Sequence, residues 1–275
     1  MAKKEPNDSL RYFFLAFGIS FLVLSLIALP ILLFTVHPKE EQAGTAQSGV
    51  SMESQKGSYT DRENILVCLR KTEDDPPYQY LLIGFLPDRL QLSLTVFPPN
   101  APLSVENSAG TLEQAYQYGG CGEVRRQLAK QMCISIGKLI DLSDLTLSDA
   151  VDLAGGFEYE FSDTLTLPDG VSVLPGKQYV GGELFVGLIH SAIERENLSA
   201  ALGLYSRLMG QILSFSGQEE VVKYYQSLVN SMQTNISLHD LAEQEQAVTL
   251  MLHPEYIHAA PFTGDNYIEL AQEYR

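Results

Sequence analysis

The sequence predicts an α/β domain with a mixed central sheet packed between helices, preceded by one N-terminal transmembrane helix. Three observations carry this prediction: a charge-free run at 12–36, apolar strand-like runs between 64 and 97, and alternating strand and helix patterns from 110 onward. The chain has 275 residues, 45% of them hydrophobic, which is enough for one large core.

The run at 12–36 contains no charged residue and, as a helix, would extend ~37 Å, enough to cross a hydrocarbon layer of ~30 Å. Lys3, Lys4 and Arg11 precede it, so residues 1–11 are predicted to be a cytoplasmic tail, with the bulk of the chain outside the cell. The alternative is a cleaved signal peptide, whose apolar core is usually only about 7 to 15 residues long.

Residues 37–62 are rich in Gly, Ser, Gln and charge, and they predict a flexible stalk before a domain at 63–275. Beyond residue 36 the formal charge is −17, because 32 acidic residues face 15 Lys and Arg. Such a surface makes nucleic acid an unsuitable partner, and its ordinary role is to keep the domain soluble.

The strands and helices of this domain are predicted from hydrophobic patterns and from the glycines and capping residues that bound them. Continuous apolar runs predict strands covered on both faces at 64–69, 80–85 and 90–97, with further strands at 138–142 and 157–161. A short helical piece at 110–120 closes on paired glycines, and a helix with an apolar stripe follows and ends by Gly137. Further helices are predicted at 147–154 with Thr146 and Asp149 in a capping arrangement, at 182–195, at 199–216 with Ser199 as N-cap, and at 218–233; Ser237 caps the last predicted helix.

Three cysteines cannot all pair, and each is interpreted as structural. Cys121 and Cys133 lie on one predicted helix ~18 Å apart, whereas a disulfide needs its Cα atoms within ~4.4 to 6.8 Å. Cys68 lies in an apolar strand and is expected in the core. No metal-ligand spacing and no catalytic Cys/His pattern is present.

The residues alone give little indication of catalysis. Five histidines are scattered, and no Ser-His-Asp order or supported pair of carboxylates emerges. The glycine pairs at 119–120, 155–156 and 181–182 could hold loops near an anion, although paired glycines at helix ends are more often punctuation.

Several segments, taken in order, resemble the LytR-CpsA-Psr family. They are Asn-Ile-Leu-Val at 64–67, Thr-Val-Phe-Pro at 95–98, Ala-Tyr-Gln-Tyr-Gly-Gly at 115–120, Ala-Val-Asp-Leu-Ala-Gly-Gly-Phe-Glu at 150–158, Gly-Lys-Gln-Tyr-Val-Gly-Gly-Glu at 176–183 and Thr-Asn-Ile-Ser-Leu-His-Asp-Leu at 234–241. The resemblance spans residues 64 to about 265, and the order of the motifs is more specific than any single one.

The resemblance implies a three-layer α/β/α domain outside the membrane, with a long apolar pocket for a polyprenyl tail. Active members transfer lipid-linked glycopolymers onto peptidoglycan, with magnesium at the pyrophosphate. Arginines at the pocket mouth hold the phosphates and acids hold the metal.

Most of these arginines and acids are replaced in the present chain. The family's Pro-Arg-Asp-Thr at a strand end corresponds to residues 98–101, Pro-Pro-Asn-Ala, and its two metal-binding aspartates fall near Lys71 and Tyr78. Its arginine pair corresponds to His190 and Ala192, and the following Arg-x-x-Arg-Gln retains only Arg207. Asp74 and Asp75 could replace the lost acids if the alignment shifts.

Three residues are therefore candidates for ligand binding: Arg207, His190 and Arg70. A lone helical histidine is also common on a surface or in a core, and Arg207 also fits a solvated salt bridge. We assign no catalytic residue, no metal ligand and no cofactor. The sequence favours a non-catalytic envelope protein that binds a polyprenyl-linked or cell-wall ligand or a partner protein. The alternatives are an active transferase, which would use Mg²⁺, and a structural anchor in an envelope complex.

Overall fold

The computed structural model describes residues 62–105 and 108–275. The predicted cytoplasmic tail, the transmembrane helix at 12–36 and nearly all of the stalk lie outside the described residues. Within the described ranges, no helix is long and apolar enough to cross a membrane.

A mixed sheet of six strands organises the domain, in the spatial order β11-β6-β1-β2-β3-β12. The neighbours β1 and β6 run parallel, as do β3 and β12, whereas β1–β2, β2–β3 and β6–β11 run antiparallel. The mixed α/β fold predicted from the sequence is therefore confirmed. The strands of this sheet are β1 Glu63–Arg70, β2 Pro77–Leu86, β3 Gln91–Phe97, β6 Lys138–Ser143, β11 Gln233–Thr234 and β12 Ile257–Ala259.

Three two-stranded sheets, eight α-helices and four short 3-10 helices complete the described elements. The small sheets pair β4 Pro102–Val105 with β5 Ser108–Thr111, β7 Phe157–Phe161 with β10 Gly176–Val180, and β8 Leu165–Thr166 with β9 Ser172–Val173. The helices are α1 Leu112–Met132, α2 Asp144–Leu153, α3 Gly182–Glu194, α4 Leu198–Ile212, α5 Gln218–Leu228, α6 Leu238–Glu243, α7 Glu245–Met251 and α8 Tyr267–Leu270.

Helices cover both faces of the sheet, because alternate residues of the central strands point in opposite directions. In β1, Val67 and Leu69 face a core that they share with α2, α3 and α4. Leu66 and Cys68 face a second core formed with α1 and the C-terminal segment. The continuous apolar runs of the central strands are thus explained by burial on both sides.

Some predicted boundaries were wrong, each for a local reason. The helix predicted to end by Gly137 ends at Met132, because Cys133 adopts the left-handed conformation that closes a helix. Asn197 rather than Ser199 caps α4, and Ser143 rather than Thr146 caps α2. Ser237 caps α6 as predicted, in a reciprocal capping box.

The three glycine pairs interrupt or end helices, or allow two helices to pack closely. Gly119 and Gly120 interrupt α1 with non-helical backbone, and residues 155–156 follow α2 with positive φ. At the start of α3, a Cβ on Gly182 would lie 2.2 Å from the Ser148 carbonyl oxygen, so only glycine lets these helices approach so closely. The Gly182 N–H donates to Asp152 Oδ1 at 2.7 Å, so this helix start is already satisfied by a carboxylate of the protein.

We expect Gly84→Ala to destabilise the domain by about 1 to 3 kcal/mol, the usual range for overpacking a core. A Cβ at this position of β2 would lie 2.6 Å from Cδ1 of the buried Tyr274. Gly203→Ala is the matched control, because Gly203 is an exposed position of α4 with nothing near its Cβ. That change should raise stability by up to about 1 kcal/mol. Urea denaturation of both variants is the measurement, and equal midpoints would contradict the packing argument.

Candidate functional site

A cavity of about 600 Å³ lies where β3 ends and β2 begins. One wall is the segment 98–102, which includes the four residues that the sequence resemblance aligns with the charged strand end of the LytR-CpsA-Psr family. The remaining lining comes from β2, from the start of α1, from the α3–α4 connection and from the segment after β12: Tyr78, Gln79, Glu113, Ile193, Glu196, Leu198, Phe262, Thr263 and Gly264.

The charged residues that line this cavity are acidic. Glu113 and Glu196 are its charged lining residues, and its lining includes no Lys, Arg or His. Both glutamates are exposed to solvent. A dianionic pyrophosphate would meet two carboxylates here and no cation to offset its charge.

A buried amide forms part of the cavity wall. Gln79 is 1% exposed, and its Oε1 accepts a hydrogen bond of 2.8 Å from the Tyr205 hydroxyl. Burial raises the pKa of Tyr205 well above its ordinary value, which keeps this hydroxyl neutral and able to donate. Gln79 belongs to the cavity lining, and its Nε2 donates no hydrogen bond to another described residue.

A second polar cluster joins the cavity to α2 and α3. The Tyr78 hydroxyl donates to Asp144 Oδ1 at 2.7 Å, and His190 Nε2 lies 2.7 Å from Asp144 Oδ2. The rings of Tyr78 and His190 pack at 4.7 Å between centroids. Burial, then the neighbouring Tyr205 and Asp144, raises the pKa of Tyr78. Tyr78 therefore stays protonated as a donor, and Asp144 is held between two side chains.

Arg70 is committed to a partner within the protein. Its guanidinium forms a salt bridge with Asp141 and donates to the Glu73 carbonyl at 2.9 Å and to Cys121 Sγ at 3.4 Å. Arg70 also borders a small cavity of about 100 Å³ that Glu73 and Asp141 line as well. A ligand anion would have to compete with Asp141 for this cation, so Arg70 as a ligand-binding residue stays a prediction without further support.

The three candidates from the sequence do not meet in one place in the described part of the chain. His190 belongs to the cluster with Asp144, Arg70 to the pair with Asp141, and Arg207 is exposed on α4 outside the linings of the cavities described here. Asp144 and Gln79 were not predicted as site residues from the sequence. Asp144 follows a strand directly and could have been noticed there, whereas nothing in the local sequence marks Gln79.

Neither substitute acid of the sequence analysis completes a metal site. Asp75 accepts a hydrogen bond of 2.7 Å from the Thr72 hydroxyl within the turn between β1 and β2, and Asp74 is exposed there. Across residues 62–105 and 108–275, no group of three or more His, Cys, Asp or Glu is placed to hold a metal ion.

A second cavity bears on the long apolar pocket that the family resemblance implies. It measures about 170 Å³ and lies between β7 and the helices α3 and α4, with Phe161, Leu188 and Leu204 in its lining. The space under these helices is otherwise occupied by buried side chains such as Phe185, fully enclosed in the first core. A long tail would need these side chains to move.

Comparison with known proteins shows that the chain is similar in fold to several solved structures. No family model matches the sequence, and no curated protein matches it. A protein from Eubacterium siraeum shares 18% identity at a TM-score of 0.68, covering 86% of this chain and 98% of its own. TagT bound to LIIa-WTA shares 13% identity at a TM-score of 0.64, over 78% of this chain and 90% of TagT. B. subtilis TagV shares 14% identity at 0.60, over 74% and 84%. TagT and TagV are LytR-CpsA-Psr enzymes, so the chain has the fold of these enzymes.

We expect stability to fall as the pH rises above about 10, because Tyr78 and Tyr205 keep their protons in the folded state while the unfolded chain releases them. Their stabilising effect is fully present below that pH. Tyr78→Phe should make the decline shallower by up to about 1.4 kcal/mol per pH unit. The measurement is the free energy of unfolding in urea between about pH 9 and 11. Tyr118→Phe, which alters an exposed ring, controls for the loss of one phenol. Identical slopes for the wild type and Tyr78→Phe would contradict the argument.

Proposed function

We propose that this chain is a divergent LytR-CpsA-Psr protein that holds a cell-envelope ligand without transferring it. Two independent observations support membership of the family: the order of the sequence motifs between 64 and 241, and the fold shared with TagT and TagV. The predicted helix at 12–36 would anchor the domain at the outer face of the cell membrane.

The observation that carries the non-transferring role is the charge of the cavity. Transfer from a pyrophosphate requires cations to hold the developing phosphate charge and carboxylates to hold the metal. The cavity presents Pro99 and Asn100 where the family has arginine and aspartate, with Glu113 and Glu196 close by. Two acids without a cation raise the energy of a phosphate transition state instead of lowering it.

The same lining suits an uncharged, hydroxyl-rich portion of a cell-wall or polyprenyl-linked glycopolymer. Gln79 Nε2 can donate to a ligand oxygen, and the carboxylates of Glu113 and Glu196 can accept from hydroxyl groups. Tyr78 and Phe262 add aromatic surface for packing. TagT is bound to LIIa-WTA in its structure, which makes a lipid-linked polymer a reasonable first ligand to test.

The decisive experiment incubates the full chain in detergent with a polyprenyl-pyrophosphate-linked glycopolymer, peptidoglycan and Mg²⁺. We expect the ligand to bind with an affinity that does not depend on Mg²⁺, and we expect no release of polyprenyl phosphate. A catalytically competent LytR-CpsA-Psr enzyme in the same assay is the positive control. Release of polyprenyl phosphate above the protein-free blank would establish the transferase instead. Absence of any binding would favour the structural anchor.

We expect Gln79→Met to weaken glycopolymer binding roughly 5- to 30-fold, the equivalent of one lost hydrogen bond of about 1 to 2 kcal/mol. Methionine has a similar shape and lacks both the amide donor and the oxygen that accepts from Tyr205, so the melting temperature of the variant is measured together with its affinity. Gln117→Met is the matched control, because Gln117 is exposed on α1 and does not line the cavity. Glu196→Gln changes the cavity charge without altering a buried contact, and it should leave the melting temperature unchanged. Equal affinities for Gln79→Met and Gln117→Met would remove Gln79 from the site.

A further inference from the structure

Two of the three cysteines lie in the second core. Cys68 in β1 is 0% exposed and Cys121 in α1 is 6% exposed, and both belong to the same buried cluster. Cys68 and Arg70 are two residues apart in one strand, so their side chains point to the same face of the sheet. Asp141 in β6 is the register partner of Cys68, which places its side chain on that face as well.

Cys121 lies directly over these residues. Its Sγ accepts a hydrogen bond from Arg70 Nη2 at 3.4 Å and donates to Asp141 Oδ2 at 3.3 Å. Cys121 Sγ therefore contacts Arg70 and Asp141, the two residues that flank Cys68 on this face of the sheet, which places both thiols in one packed layer. Burial, and next the neighbouring Cys121, raise the pKa of Cys68.

We propose that Cys68 and Cys121 form an intramolecular disulfide that joins β1 to α1. The third cysteine is placed elsewhere: Cys133 is exposed at the end of α1 and contacts the Lys130 carbonyl. Oxidation within this pair leaves Cys133 as a free surface thiol. This proposal is independent of the ligand cavity, whose lining contains none of the three cysteines.

The chemistry is thiol–disulfide exchange with an external disulfide, which accepts the two electrons. Cys121 is the more accessible thiol, so it loses its proton to solvent and acts first as the thiolate nucleophile. That thiolate attacks the reagent disulfide, and one reagent thiolate leaves with a mixed disulfide formed on Cys121. Cys68 then gives up its proton and attacks Cys121 Sγ, which forms the internal S–S bond and expels the second reagent thiolate. Two thiol protons are released in total.

The test refolds the full chain from denaturant in a buffer of reduced and oxidised glutathione, which gives the reagent access to both buried thiols. Free thiols are then alkylated in denaturant, and the chain is digested without reductant for mass spectrometry. We expect the linked peptides to contain Cys68 and Cys121, in at least about tenfold excess over a link between Cys121 and Cys133. The shorter loop favours the latter link in an unfolded chain, so the excess reports the folded structure. Alkylation of both Cys68 and Cys121, or a predominant link to Cys133, would overturn the proposal.

A stability measurement in a Cys133→Ala background provides a second, independent readout. Oxidation should raise the melting temperature by roughly 5 to 10 °C, as expected for a disulfide that closes a long loop in a domain of this size. Cys68→Ala and Cys121→Ala in that background should each abolish the difference between oxidised and reduced samples. An oxidised form that melts at the same or a lower temperature than the reduced form would count against a native disulfide.

Discussion

Burial of the central strands on both faces is the constraint on which the rest of the structure depends. Leu66 and Leu82 point into one core while Val67 and Leu81 point into the other, and none of them is more than 5% exposed. A sheet that is apolar on both sides must be covered on both sides, so helices are required above and below it. The loops at the strand ends are then left as the natural place for a ligand.

The cavity at those strand ends is lined by uncharged polar and acidic side chains. Prolines, an asparagine, a glutamine and two glutamates line a volume of about 600 Å³. Its lining in the described part of the chain contains donors and acceptors and no positively charged side chain. Two of the candidate residues predicted from the sequence have partners within the protein: Arg70 pairs with Asp141, and His190 with Asp144.

Elements with strong periodicity could be predicted from the sequence, whereas long-range pairs could not. β7 was predicted at its observed bounds, and β1, β2 and β3 were recognised because their runs are apolar and bounded by turn signals. The hairpin of β4 and β5 was missed because its four-residue strands show little pattern. The contact between Gln79 and Tyr205 joins residues 126 positions apart, and no local rule connects them. This part of the site could therefore be identified only from the structure, in which β2 lies beside α4.

The segment around Tyr274 determines when this architecture can be completed during synthesis. Asn64 Nδ2 donates to the Tyr274 carbonyl across 210 positions, and the Tyr274 hydroxyl bonds to Thr95 and to the Leu82 carbonyl. The second core therefore stays open until the ribosome has delivered nearly every residue of the domain. Contacts of such long range make folding slow, and they leave the apolar face of the sheet exposed to chaperones or to aggregation while the chain is still growing.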